Sequence, residues 1–214
     1  MSIDTVRSAL LEDTKAFLES NAVLIYGSNK SASGEKKFVI QATDDTGWKS
    51  NVGGSGKDVP FYVIYDAKSY NAKATGPQSA PIDVHYVSMR ERGVDGWEDA
   101  EMTHYALPST GASVMVTSKI NGCTFGIGSN AQGSRLVSHL KPPGSGGAKE
   151  RLLLESGTRA GFAGGKLDVS VMSSGEQNGT VIGIRTGSNW TFYAQRFQMF
   201  STARGTIGSV QVYK

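Results

Sequence analysis

The chain has 214 residues, 38% of them hydrophobic, and its 22 Lys and Arg against 19 Asp and Glu leave a formal charge of +3. That length suits a single domain spanning 1–214, able to bury about 70% of the surface its unfolded form exposes, so neither a disulfide framework nor a structural metal is expected. The basic residues are dispersed apart from Lys36-Lys37 and the Arg90, Arg92 pair, and no apolar run reaches about 18 residues, which argues against both nucleic acid and membrane as partners.

At the amino end Ile3, Val6, Leu10 and Phe17 fall on one stripe at helical spacing while Glu12, Lys15 and Glu19 face away, which predicts one amphipathic helix over a sheet. Arg7, Glu12, Asp13 and Lys15 interrupt the apolar core that a secretory peptide needs, so any export is expected to use a non-Sec route. The 27 glycines exceed the usual share of about 7% and punctuate short apolar runs, as in a β-rich fold with many turns. Strands are predicted at 22–26, 37–42, 59–66, 82–89, 113–120, 124–128, 135–140, 151–155, 167–172, 180–186, 190–198 and 208–213 from β-branched and aromatic enrichment between Gly, Asn, Ser and Pro breaks. So many short strands predict a sandwich. The run from Trp190 to Gln198 carries aromatics on both alternating faces, so its pattern suits a central strand without choosing the buried side. A brief acidic segment at 96–102 reads as a short helix or a turn, and 43–57 and 141–149 read as surface loops, the second a solvated connection or a gate close after His139.

Several chemistries find no support. Gly56-Lys57 and Gly165-Lys166 are followed by Asp58 and Leu167, the wrong residues for a phosphate loop. No Cys-x-x-Cys and no Gly-x-Ser-x-Gly occurs, and His85, His104 and His139 lack the spacing of a zinc site, so neither metal nor cofactor is expected. What remains is Cys123, the only cysteine, with His139 sixteen residues later in the next predicted strand. A lone free thiol suits a reducing compartment. It is mostly protonated at neutral pH, with an ordinary pKa of about 8.5, and an imidazole in contact would take the proton and leave a nucleophile. Gly122 permits a strained turn before the thiol, Asn121 tolerates such a turn, and the Cys123 backbone N–H with a neighbour would bind an oxyanion. Thr117 offers a hydroxyl or a carbonyl to orient the imidazole. The competing reading is a buried structural cysteine and an unrelated core histidine.

The segment from Thr117 through Ser118-Lys119-Ile120-Asn121-Gly122 to Cys123, with Val137-Ser138-His139, resembles the nucleophile and base regions of the cytotoxic necrotizing factor catalytic domain and of Burkholderia lethal factor 1, both bacterial protein-glutamine deamidases. Residues 181–193 are similar to the strand pair that follows the dyad in both. Asn121 stands where that family tends to have serine, and the connection from Cys123 to His139 is longer than in the compact lethal factor. The resemblance implies an α+β, β-rich fold, a central β-sandwich of mixed sheets flanked by helices. It also implies a cofactor-free toxin or effector in which Cys123 is the nucleophile, His139 the base, and Thr117 or a carbonyl near Val87 the orienter. Its substrate would be a glutamine of a host protein, a Rho-family GTPase or a translation-initiation helicase, with transglutamination as a side activity. The protein would be a monomer, secreted or translocated, acting in the host cytosol. Two other functions are weighed against it: a cysteine protease, and a non-enzymatic β-sandwich binding through Trp48, Trp97 and Trp190.

Overall fold

A computed structural model of the chain describes residues 2–27, 32–54, 56–68, 76–91, 105–141, 165–172, 177–201 and 203–214. The elements expected at 96–102 and 151–155, the loop at 142–149, and Trp97 lie outside the described residues.

The amino-terminal helix is two helices, α1 (Ile3–Glu12) and α2 (Thr14–Ser20), where the stripe of apolar residues predicts one. Asp13 makes the break. It leaves helical geometry at φ −138°, ψ 78°, and its carboxylate accepts from the Ala16 N–H at 3.0 Å, capping the second helix. The bend turns Phe17 and Leu18 inward together with Val6 and Leu10, so one face of each helix is buried on the sheet.

The strands in chain order begin with β1 (Ala22–Tyr26), β2 (Gly34–Ala42), β3 (Gly47–Ser50), β4 (Lys57–Asp58), β5 (Phe61–Asp66), β6 (Ile82–Val87), β7 (Met89–Glu91) and β8 (Tyr105–Ala106). They continue with β9 (Val114–Thr117), β10 (Ile120–Asn121), β11 (Thr124–Asn130), β12 (Arg135–Lys141), β13 (Gly165–Met172), β14 (Gln177–Thr186), β15 (Asn189–Ser201) and β16 (Arg204–Tyr213). A large sheet runs β1-β5-β2-β6-β9-β14-β15-β16-β3-β4, with β10 on β14, and a small one runs β13-β11-β12-β7, with β8 on β12. Both are mixed: β1/β5, β6/β9 and β16/β3 are parallel in the first, β12/β7 in the second. The fold is therefore the expected β-rich α+β arrangement of mixed sheets with an amino-terminal helical layer.

Three expected segments are corrected. Residues 82–89 are not one strand: β6 ends at Val87 in the large sheet, and after Ser88 the chain enters the small sheet as β7. Residues 113–120 divide into β9 and β10. The supposed surface loop 43–57 contains β3, whose Trp48 is fully buried with its ring 5.0 Å from that of Phe61. Burial of one indole outweighs the polar composition around it.

Both faces of β15 are covered, which explains its aromatics. Trp190, Phe192 and Ala194 face the core shared with the small sheet, and Gln195 faces the helices. A register shift between Arg196 and Phe197 then sends Phe197 toward Trp48. Gln195 also closes the free edge of β1: its Oε1 accepts from the Val23 N–H at 3.0 Å, and its amide donates to the carbonyls of Leu18 and Asn21 at 2.5 and 2.7 Å. Thr180 donates to the Val23 carbonyl at 2.7 Å, and the Lys119 N–H donates to that of Ile25 at 3.0 Å. Edge groups of β1 thus find buried partners without a neighbouring strand there. No helix among the described residues is long and apolar enough to cross a membrane.

Candidate active site

The switch of sheets at Ser88 puts a seam between the large and small sheets, and Thr117, Val87 and His139 meet along it, whereas no hydrogen bond joins His139 Nε2 to Cys123. In the large sheet, Val87 and Thr117 are parallel register partners on β6 and β9. The Thr117 hydroxyl donates to the Val87 carbonyl at 2.8 Å and lies 2.7 Å from His139 Nδ1 on β12 of the small sheet. A hydroxyl has one hydrogen, so with that hydrogen on Val87 its oxygen accepts from Nδ1–H. The two groups that the resemblance offers for orienting the imidazole, the threonine and the carbonyl near Val87, therefore lie in one hydrogen-bonded series. The tautomer leaves His139 Nε2 without a proton, and that atom is buried with no hydrogen-bond partner. His139 is 1% exposed, and burial pushes its pKa down to about 3, so the imidazole is neutral at physiological pH.

Cys123 sits immediately before β11, at the end of a turn made possible by Gly122 at φ 67°, a left-handed conformation that suits glycine. Asn121 has an exposed side chain, pairs with Asn178 of β14 through β10, and presents its carbonyl to the thiol at 3.4 Å. Thr124 faces Leu140 and Phe125 faces His139 across β11 and β12. Cys123, one residue before β11, is therefore on the diagonal from His139 rather than opposite it, and His139 Nε2 makes no hydrogen bond to it. The Phe125 and His139 rings meet edge to face at 6.4 Å.

Two neighbours escaped the sequence reading. Met89, register partner of His139 on β7, brings its thioether sulfur to 3.6 Å from Cys123 Sγ. No pattern marks it, because 82–89 reads as one strand. Lys119 is half-buried in the turn leading to Cys123; burial lowers its pKa and the charge of a Cys123 thiolate raises it, so its ammonium acts on the thiol electrostatically. Its position in the motif, four residues before the cysteine, was the available signal.

No group of three or more His, Cys, Asp and Glu among the described residues is arranged to hold a metal. Trp48 is fully buried, which removes it from the binding surface weighed as an alternative, while Trp190, 3% exposed, lines a cleft at the far end of β11 and β12. That cleft, of about 1050 Å³, lies around Ser129, Arg135 and Asn189 and includes none of the three candidate residues.

Thr117→Val keeps the shape but leaves Nδ1–H and the Val87 carbonyl without their shared partner. The expected result is a loss of about 1–3 kcal/mol of folding stability in urea unfolding, the cost of buried groups left unpaired. Thr117→Ser should restore most of it, and wild-type stability in Thr117→Val would mean that the two groups find other partners.

No protein-family model and no curated protein matches this chain. Among solved structures, the C-terminal domain of CNFy from Yersinia pseudotuberculosis is similar at 11% identity and a TM-score of 0.42, over 100% of this chain and 99% of that one. A likeness that distant assigns no activity.

Proposed function

We propose that the chain is a protein-glutamine deamidase, a toxin or effector that uses Cys123 as nucleophile, His139 as general base and Thr117 as the group that orients the base. The observation that carries this reading is the relay on His139: the Thr117 hydroxyl donates to the Val87 carbonyl and lies 2.7 Å from Nδ1, while Nε2 is buried without a hydrogen-bond partner.

In the first step the developing thiolate charge raises the basicity that burial holds down in the resting site, and Nε2 takes the thiol proton as sulfur attacks the side-chain carboxamide carbon. The imidazolium so formed is supported through Nδ1–H by the Thr117 oxygen. The Cys123 backbone N–H is assigned to the developing oxyanion, and the Lys119 ammonium offsets negative charge on sulfur. The proton on Nε2 passes to nitrogen, ammonia leaves, and a thioester remains. Water attacks the thioester with Nε2 as base, giving glutamate and the free thiol. Overall, one amide and one water become one carboxylate and one ammonium ion. An amine in place of water would give transglutamination. A thiol only 3% exposed favours a long unbranched amide, glutamine over asparagine. By the sequence resemblance, the substrates to try first are Rho-family GTPases and translation-initiation helicases of a host cell.

The test is intact-mass analysis of these proteins after incubation with wild type and with Cys123→Ser. Replacing NH₂ by OH should add about one dalton at a glutamine, with no change in the mutant reaction. Cleaved substrate would identify a protease instead, and equal products from wild type and mutant would exclude cysteine chemistry.

A further inference from the structure

The small sheet places β12 between β11 and β7, so the strands that flank it are two spacings apart, about 9.5 Å. Phe125, His139 and Met89 are register partners across these strands and project on one face as a row. Cys123 approaches from the β11 side and Met89 from the β7 side, yet their sulfurs are 3.6 Å apart. The contact therefore passes over the strand that carries His139. Cys123 Sγ has the Met89 sulfur and the Asn121 carbonyl as acceptors within reach, whereas His139 Nε2 has no hydrogen-bond partner. The same short segment, Val87 to Met89, both anchors the Thr117 relay and touches the thiol.

We propose that Met89 is the access and specificity residue of this site: its thioether lies over the dyad in a closed state, and the aliphatic arm of the substrate amide enters by displacing it. This rests on the reading of Cys123 as nucleophile. Met89 suits the task because it is the most exposed of the group, at 8% against 3% for Cys123 and 1% for His139. An unbranched thioether also changes rotamer at little cost and leaves an apolar wall for a glutamine's two methylenes. A branched or short amide side chain would not reach past it.

The test is the rate of Cys123 alkylation by iodoacetamide, itself a carboxamide, and by the bulkier N-ethylmaleimide. This requires no protein substrate, so it reads the gate even if glutamine hydrolysis is never found. Met89→Ala should raise the iodoacetamide rate about tenfold, as expected when a closed state populated about ten to one is abolished, and the maleimide rate more. Met89→Leu, which keeps the bulk and loses the sulfur, should stay within about threefold of wild type. Met89→Val serves if the alanine variant does not fold, with a smaller rise in the same order of reagents. An unchanged rate in Met89→Ala or Met89→Val, or a rise in Met89→Leu as large as in Met89→Ala, would overturn the proposal.

Discussion

His139→Asn should lower the proposed glutamine hydrolysis by about 10²–10⁴-fold, the usual contribution of a positioned general base, and at the same time make the fold less sensitive to acid. The asparagine amide is the appropriate replacement because its N–H stands near the place of Nδ1 and can still donate to Thr117, so the relay survives while the base is lost. The stability half of the prediction follows from linkage. Folded His139 has its pKa pushed down to about 3, below the ordinary 6.5, so as pH falls the unfolded chain takes up the proton first. The stabilising contribution is complete above about pH 6.5 and is lost progressively as pH falls toward 3. Between pH 7 and pH 5 that loss is roughly 2 kcal/mol at about 1.4 kcal/mol per pH unit. Urea unfolding at the two pH values should therefore show the gap between wild type and His139→Asn narrow by about this amount. His85 is also buried with a lowered pKa, but it is present in both proteins and cancels. Parallel losses in the two proteins would mean that His139 is not buried in neutral form.

Gln195→Leu should cost about 3–6 kcal/mol, a large part of the 5–15 kcal/mol typical of a whole domain. The side chain is fully buried and serves three backbone groups: the Val23 N–H and the carbonyls of Leu18 and Asn21. Leucine fills the space but supplies none of these bonds, and each buried group left unpaired costs about 1–3 kcal/mol. The loss extends toward the candidate site, because β1 also receives the Lys119 N–H through the Ile25 carbonyl and so steadies the turn that leads to Cys123. Thr180→Val, which removes one bond to the same strand, should cost about 1–3 kcal/mol by comparison. A loss below about 1 kcal/mol in Gln195→Leu, measured by urea unfolding, would mean that water or a shifted β1 takes over those groups.

The parts of this fold that sequence makes legible are those in which one local signal dominates. Glycine and asparagine breaks around β-branched runs locate β1, β11, β12 and β14 closely, because turn chemistry and strand propensity agree there. Asp13 misleads: its place in an apolar stripe continues the helix, whereas its carboxylate caps the next one. Ser88 is harder still. The residues on either side of it are equally apolar and strand-forming, so nothing local records that the chain changes sheet, and the change brings Met89 to the thiol. Thr117 and His139 could be paired by reasoning about which groups orient an imidazole, but their separation of 2.7 Å depends on two sheets closing over one another. Burial of the thiol is likewise a tertiary fact. A glycine turn suggests an accessible nucleophile, and the packing encloses it instead.

The claim on which the chemistry depends is that Thr117 holds a neutral His139 with its proton on Nδ1. Nitrogen-15 NMR of the imidazole, assigned by its loss in His139→Asn, reads this directly between pH 8 and pH 5. The account predicts a protonated Nδ1 and an unprotonated Nε2 throughout that range. A proton on Nε2 in the neutral ring, or conversion to imidazolium near the ordinary histidine pKa, would contradict it.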